Sequence, residues 1–255
     1  MIIRLGYVAI SLVLNITASK TITYTNYNKI GKEAGYKKLD ILIRENFAKL
    51  KEILKYNYKN HIHFYRLSHN LIPLATHHNV DFDYLKPYQQ LWQEIGNLSK
   101  QYDIRLDTHP DQFCVLNSPR QEVVQNSIVM LEFHQQIFHA MQIDGKAVLH
   151  VGGCFNNKEK AIKTFIRNFK KLDQKIQNII ILENDDKVFG VKDVLYICET
   201  LNIPMVLDYH HYKCHNDGED LKEYLPRILA TWSHENLRPK MHFSSPKSKK
   251  EFRSH

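Results

Sequence analysis

The chain has 255 residues, of which 43% are hydrophobic and 24% are charged, a composition typical of a globular protein with a large core. With 9 glycines, 8 prolines and no run of about 20 apolar residues, the sequence excludes a low-complexity linker and a membrane-spanning helix. The net charge of +8 favours a polyanionic partner, nucleic acid first, although many basic proteins bind no nucleic acid.

The N-terminal segment "MIIRLGYVAISLVLNITAS" fits either a first strand and turn or a weak signal peptide. Gly6, Tyr7 and Ser11 interrupt its apolar run, and this favours the strand. The 4 cysteines show no C-x-x-C spacing, so we expect reduced thiols in an intracellular protein, localised to the cytoplasm.

Short apolar runs alternate with helical patterns along the chain. The predicted strands are Ile2–Leu5, Ile62–Leu67, Asp103–Asp107, Ala147–Val151, Ile179–Glu183, Met205–Asp208 and Lys240–Phe243. Between them, apolar residues recur with helical spacing, as at Leu39, Ile43 and Phe47, and "SPRQ" predicts a helix N-terminus with Ser118 as the N-cap. This alternation predicts an α/β fold with a parallel sheet, either doubly wound or closed as a (β/α)8 TIM-type barrel. No glycine-rich nucleotide-binding motif follows any strand, and this favours the barrel.

The region after the last predicted strand contains no further strand pattern. Only a charged segment, "KSKKEFRSH", closes the sequence after Phe243. We therefore expect residues 1–255 to form a single TIM-barrel-like domain, truncated after the seventh strand, so that the C-terminal strand and helix are missing.

Side chains that bind metals stand at or just after most of the predicted strand ends. They are His77, His109, His150, Glu183, Asp208, His211 and His242. Functional residues of parallel barrels lie at the C-terminal ends of the strands, so these side chains are expected to converge. Neutral imidazoles and carboxylates are ligands that Zn²⁺ or Mn²⁺ prefers. A hydrogen-bonded structural role is the alternative for any single histidine, but the recurrence at strand ends favours a metal site.

Seven motifs occur in a characteristic order and spacing: "RLGY", "RLSHNLIPLATH", "THPDQFCVLNSP", "LHVGG", "LENDD", "LDYHH" and "PKMHFSS". From Arg4 to His255, the chain resembles the UV-damage endonuclease family, which is related in fold to endonuclease IV. The resemblance implies a barrel with a cluster of up to three divalent ions, manganese first and zinc or magnesium as alternatives. It implies cleavage of the DNA backbone 5′ of UV photoproducts, with abasic sites as a second candidate substrate.

The same resemblance implies a role for individual residues of this chain. The implied metal ligands are His109, His150, Glu183, Asp208, His211, His242 and His255. The implied catalytic residues are Glu183, Lys240 and His77. Lys240 matches a lysine that can be carboxylated in the family, and a simple phosphate contact is the alternative. The family cluster also takes a glutamate from the eighth strand, which we expect this chain to lack.

Lesion contacts are implied as well. Gln112 and Phe113 match a Gln-Tyr pair that is wedged into the duplex where the lesion is turned out, and apolar wedges of this kind unstack DNA. A place in the core is the alternative for Phe113. Tyr7 matches a residue that contacts the lesion, while Ser11 stands where the family tends to carry an asparagine.

Basic residues on the same face are candidates for binding the flanking phosphates. They are Arg66, Arg120 and Lys213, each of which could equally be a solvated charge. The expected partner is double-stranded DNA carrying UV lesions, with no membrane contact and the protein as a monomer. Two rival functions stay open: a metal-dependent sugar isomerase-like barrel, and a catalytically impaired form that binds damaged DNA without cutting it.

Overall fold

In the computed structural model, the described residues are 3–8, 10–11 and 13–253. They fall into two compact units, the first within residues 1–109 and 132–145 and the second within residues 110–131 and 146–255. That the two units together form a single domain stays a prediction. Among the described residues, no helix combines the length and the apolar character that a membrane crossing requires.

The described residues of the first unit form three parallel strands with helices between them. Its strands are β1 (Gly6–Val8), β2 (Phe64–Leu67) and β3 (Arg105–Thr108), and its helices are α1 (Tyr24–Ile30), α2 (Lys32–Lys59) and α3 (Gln89–Gln101). The central strand β2 pairs in parallel with both neighbours, and Tyr65 is aligned with Tyr7 on one side and Leu106 on the other. The predicted alternation of strands and helices is therefore present in this unit.

Helix α2 supplies much of the core of the first unit. The apolar stripe predicted from the sequence is buried, and Phe47 lies edge-on against Trp92 of α3 at 4.6 Å between ring centroids. The indole nitrogen of Trp92 donates a hydrogen bond to the Tyr84 carbonyl at 2.9 Å, so burial of this large side chain leaves no unsatisfied donor.

The first strand lies later in the chain than predicted. The Leu5 carbonyl accepts from the His63 amide at 3.0 Å, and the paired residues then run from Gly6 to Val8. A Cβ atom at Gly6 would lie 2.4 Å from Cβ of Phe64, so a glycine is needed where the two strands approach. The apolar residues Ile3 and Leu5, which suggested an earlier strand, are exposed.

In the second unit, the part of the chain that the structure describes up to residue 253 forms four parallel strands with helices between them. Its strands are β4 (Ala147–Leu149), β5 (Ile180–Glu183), β6 (Met205–Asp208) and β7 (Met241–His242). Its helices are α5 (Lys158–Phe169), α6 (Gln174–Gln177), α7 (Val191–Leu201), α8 (Tyr209–Cys214) and α9 (Leu221–Ala230), while α4 (Gln121–Met141) belongs in part to each unit. Pairing runs β4–β5–β6–β7, parallel throughout. Every residue of β5 and β6 is buried, as expected for parallel strands that are covered on both faces.

The core of the second unit is built on these strands. Val148, Ile181 and Val206 from three successive strands pack with Trp232, which follows α9. The Trp232 indole nitrogen donates to the Met205 carbonyl at 2.7 Å. This packing fixes the spacing of β4, β5 and β6, and with it the positions of the side chains at their carboxyl ends.

Helix α4 begins two residues later than "SPRQ" suggested, at Gln121. The Ser118 hydroxyl accepts a hydrogen bond from the Arg120 amide at 3.2 Å instead of capping a helix that starts at Pro119. Short serine turns of this kind compete with helix capping, because the hydroxyl reaches an amide two residues away.

Candidate metal centre

Three strands of the second unit deliver a ligand each to one place. Glu183 and Asp208 are the last residues of β5 and β6, and His242 is the last residue of β7. His242 Nδ1 lies 2.6 Å from Oε1 of Glu183 and 4.0 Å from Oδ2 of Asp208. One ligand atom from each of the three lies within 4.8 Å of the others, close enough for the three to share one ion.

Two further histidines surround Glu183. His150, directly after β4, places Nε2 at 3.7 Å from Glu183 Oε2, and His211 of α8 places Nδ1 at 3.9 Å from Glu183 Oε1. The His150 and His211 ring centroids are 5.7 Å apart. The structure therefore brings together five of the ligands predicted from the sequence, with the Glu183 carboxylate at their centre.

The chemistry of these donors fits a divalent cation. Glu183 and Asp208 are only 2% and 3% exposed, and burying two carboxylates side by side is unfavourable unless positive charge offsets them. His242 Nε2 is buried without a hydrogen-bond partner in the part of the chain that the structure describes, while Nδ1 faces Glu183. A buried imidazole nitrogen without a partner, on a ring beside two buried carboxylates, is a donor that a divalent cation would satisfy.

Asn184 supports this centre, although nothing in the "LENDD" motif singled it out at the level of sequence. Its side chain accepts from the Asp208 amide at 2.9 Å and donates to the Asp208 carbonyl at 3.0 Å. Its own carbonyl lies 2.8 Å from Nδ1 of His211. A proton on that nitrogen would leave His211 Nε2 as the ligand atom, so Asn184 fixes both Asp208 and His211.

Replacing Asn184 with alanine is expected to weaken Mn²⁺ binding by about 10- to 100-fold, the effect usual for residues that orient ligands. The Asp208 backbone would lose both side-chain hydrogen bonds, so the Asp208 carboxylate would be held less firmly. Calorimetric titration with Mn²⁺ measures the change, and Asn216→Ala is the control, because Asn216 is exposed on the same unit. Equal Mn²⁺ affinity in Asn184→Ala and the parent chain would contradict this role.

The family model described as UV-endonuclease UvdE matches residues 3–255. The chain belongs to this family. Its relative in Bacillus cereus (strain B4264), named UV DNA damage endonuclease, is 43% identical over 258 residues that cover 100% of this chain and 81% of the relative.

Solved structures agree with the family. The crystal structure of SacUVDE has a TM-score of 0.88 and 37% sequence identity, covering 96% of this chain and 82% of that chain. Endonuclease IV from Thermus thermophilus has a TM-score of 0.51 at 8% identity, covering 80% of this chain and 90% of that chain, which is a likeness of fold alone. The predicted family and the predicted α/β fold of the TIM type are both confirmed.

Two of the residues implied by the UvdE family, His77 and Tyr7, lie in the first unit. His77 stacks on Tyr24 with ring centroids 4.1 Å apart. The pKa of His77 is lowered, mainly by burial and to a smaller extent by the neighbouring His78. The Asn79 amide donates to His77 Nδ1 at 3.3 Å, so the ring proton belongs on Nε2. The Tyr7 hydroxyl donates to Asn57 Oδ1 at 2.9 Å, and burial raises the pKa of Tyr7.

His109 also lies in the first unit, directly after β3. Near it is His134 of α4, which the sequence analysis missed. His134 is fully buried, and this burial, with smaller effects of His69 and His109, lowers the pKa of His134 to about 3. His134 is therefore a neutral imidazole beside His109 at neutral pH. A histidine inside an amphipathic helix carries no signal that distinguishes it from an ordinary core residue.

The DNA-contact candidates of the second unit are on its surface. Phe113 is 72% exposed, so the alternative that it packs in the core is wrong. Gln112, Arg120 and Lys213 are exposed too, and the Lys213 ammonium lies 5.5 Å from the Tyr209 ring centroid. In the first unit, Arg66 of β2 is half-buried.

Two candidates remain, Lys240 and His255. Lys240, one residue before β7, is only 8% exposed. His255 lies outside the described residues.

Proposed function

We propose that this chain is a metal-dependent endonuclease that hydrolyses the backbone of double-stranded DNA 5′ of UV photoproducts, with abasic sites as a second substrate. The observation that carries the proposal is the group formed by buried Glu183 and Asp208 with half-buried His242 at the ends of three parallel strands. Similarity also supports the proposal, because relatives that are 43% identical to this chain are named UV DNA damage endonucleases.

The residues around Glu183 would hold the ions. His150 and His211 extend the group within the second unit, while His109 and His255 join the ligand set on the strength of the family resemblance alone. The proposed cluster holds up to three divalent ions, manganese first and zinc or magnesium as alternatives. When bound, such ions supply Lewis acidity to the phosphate and to the attacking water.

Two side chains would take part beside the ligands. Lys240 is two residues before His242, where its ammonium would contact a phosphate oxygen, or its carbamate would add an anionic ligand. His77, with its ring proton on Nε2, would donate a hydrogen bond from that atom to a phosphate or leaving oxygen. A serine or cysteine nucleophile is not needed for this reaction.

Gln112 and Phe113 would insert into the duplex at the lesion. The "HPDQF" loop presents the Phe113 ring to solvent, and the Asp111 carboxylate accepts from the Phe113 amide at 3.0 Å, which fixes the backbone under the ring. An exposed apolar ring gains most where bases have already left the stack. Tyr7, whose hydroxyl stays protonated at neutral pH, is the proposed lesion contact from the first unit.

Replacing Phe113 with alanine is expected to weaken binding to a duplex with one thymine dimer by about 10-fold, and binding to undamaged duplex by much less. Stacking of a base on an aromatic side chain contributes about 1–3 kcal/mol. Fluorescence anisotropy with both duplexes measures the difference, and Phe113→Tyr, which keeps the ring, should bind as the parent does. An equal loss on both duplexes would contradict the wedge.

Phosphate binding would fall to basic side chains that are exposed or half-buried. Arg120 and Lys213 in the second unit, and Arg66 in the first, are the proposed contacts. Each phosphate that a basic side chain neutralises releases condensed counterions from the DNA, and this steepens the salt dependence of binding. Replacing one of these residues should therefore reduce the slope of log K against log salt concentration by about one. Cytoplasmic localisation and the monomeric state stay predictions.

A duplex with a single thymine dimer and one end-labelled strand tests the proposed reaction. With Mn²⁺, the chain should cut that strand immediately 5′ of the dimer, and a chelator should stop the reaction. Binding to the duplex without any cut would favour the alternative of a damaged-DNA binding protein. Turnover of a keto-sugar with no effect on the duplex would favour the isomerase alternative.

A further inference from the structure

The loop after β4 contains a tight turn with an uncommon backbone. Phe155 and Asn156 have φ angles of 46° and 65°, so two successive residues without glycine occupy the left-handed region. The Asn157 amide closes the turn on the Cys154 carbonyl at 2.9 Å. Asparagine tolerates this conformation, but a bulky aromatic residue rarely adopts it. The chain holds Phe155 in an unfavourable backbone conformation five residues after His150.

The Phe155 ring does not compensate for this strain by entering the core. It is 47% exposed, and it covers the backbone of Gly153, where an added Cβ would lie 3.1 Å from the ring. A glycine or an asparagine at this position would form the same turn without the strain. A strained residue that keeps an apolar ring in solvent indicates a function for the ring.

The turn is attached to the loop that carries Phe113. The Asn117 side chain donates to the Gly153 carbonyl at 2.8 Å, and Gly152, with φ of 110°, lies so close that a Cβ atom would be 2.4 Å from Asn117 Oδ1. Asn117 follows Phe113 by four residues. Two exposed phenylalanines of the second unit therefore lie on loops that are joined by a hydrogen bond and by close packing of the Asn117 side chain against Gly152.

From this arrangement we infer that Phe155 is a second DNA-stacking side chain, which packs against a nucleobase displaced from the duplex while Phe113 fills the gap in the stack. The inference rests on the proposed function, and DNA is the occupant that the net charge of +8 and the metal centre of the same unit favour. Aromatic side chains stack on any of the four bases, so this contact would add affinity for opened duplex without reading the sequence.

The test uses Phe155→Gly, which removes the ring and suits the left-handed backbone. We expect binding to a duplex with one thymine dimer to weaken by about 10-fold, measured by anisotropy in a chelator so that the duplex stays intact. The unfolding midpoint should stay equal or rise, because the strain is relieved. Phe155→Trp should retain binding, and Tyr196→Ala, which removes another exposed ring of the second unit, should change neither property.

The outcomes separate this inference from the function on which it rests. If the parent chain neither prefers the damaged duplex nor cuts it with Mn²⁺, the proposed function fails and the inference fails with it. If the parent behaves as proposed and Phe155→Gly binds as well as the parent, the inference alone is overturned. A clearly lower unfolding midpoint in Phe155→Gly would also overturn it, because the ring would then be part of the stable fold.

Discussion

Replacing Glu183 with glutamine is expected to lower the rate at which UV-irradiated plasmid is nicked on the order of 10³-fold. His150, His211 and His242 all face the Glu183 carboxylate, so its negative charge is central to binding a cation there. Divalent ions contribute several kcal/mol of charge stabilisation to reactions of this type, and about 4 kcal/mol corresponds to that change in rate. Glutamine keeps the size of the side chain and removes its charge.

Thermal unfolding gives a second measurement that does not depend on activity. Ions that bind the folded parent at about 100 times their dissociation constant should stabilise it by about 2.7 kcal/mol, which raises the unfolding midpoint by roughly 5–10 °C. Glu183→Gln should lose most of this shift at the same Mn²⁺ concentration. The matched control is Glu159→Gln, which removes an exposed carboxylate of α5. A full Mn²⁺ shift in Glu183→Gln would contradict the assigned centre.

Replacing Lys146 with methionine is expected to lower the free energy of unfolding by about 3 kcal/mol, the cost usual for breaking a buried ion pair. The Lys146 side chain is 6% exposed, and its ammonium donates to the Glu235 carboxylate and, at 2.7 Å, to the Asn178 carbonyl. Methionine would leave the Glu235 carboxylate, 17% exposed, without this cation. The pair lies at the amino end of β4, whereas His150 follows its carboxyl end.

Because the pair is away from the ligands along β4, nicking per folded molecule should be unchanged in Lys146→Met. Urea unfolding at a fixed Mn²⁺ concentration measures the loss of stability. The double variant with Glu235→Leu should recover much of it, because the uncompensated carboxylate is removed as well. A double variant as unstable as the sum of the two single ones would show that the residues do not act as a pair.

The strand ends of the second unit were predictable from the sequence. "NIIILENDD" and "IPMVLDYHH" are continuous apolar runs that stop at an acid, and such runs form parallel strands buried on both faces. Since parallel strands present their carboxyl ends at one edge, the convergence of Glu183, Asp208 and His242 follows from the strand assignment alone. The sequence could supply this part of the site because the pattern is local.

Other features depended on contacts that no local pattern encodes. The start of β1 is fixed by the close approach of Gly6 to Phe64, more than fifty residues away. Asn184 acts through the backbone of Asp208, which becomes its neighbour only when β5 and β6 pair. The left-handed backbone of Phe155 is likewise invisible in the letters "CFNN", because asparagine, not phenylalanine, is the residue that signals such a turn.

Nicking of supercoiled plasmid tests most directly the claim that this chain uses divalent ions to cut UV-damaged DNA. The parent chain is incubated with irradiated and untreated plasmid, in Mn²⁺ or in a chelator, and the relaxed form is quantified. We expect nicking of irradiated plasmid with Mn²⁺, little nicking of untreated plasmid and none in the chelator. Equal nicking of both plasmids, or nicking of irradiated plasmid that persists in the chelator, would contradict it.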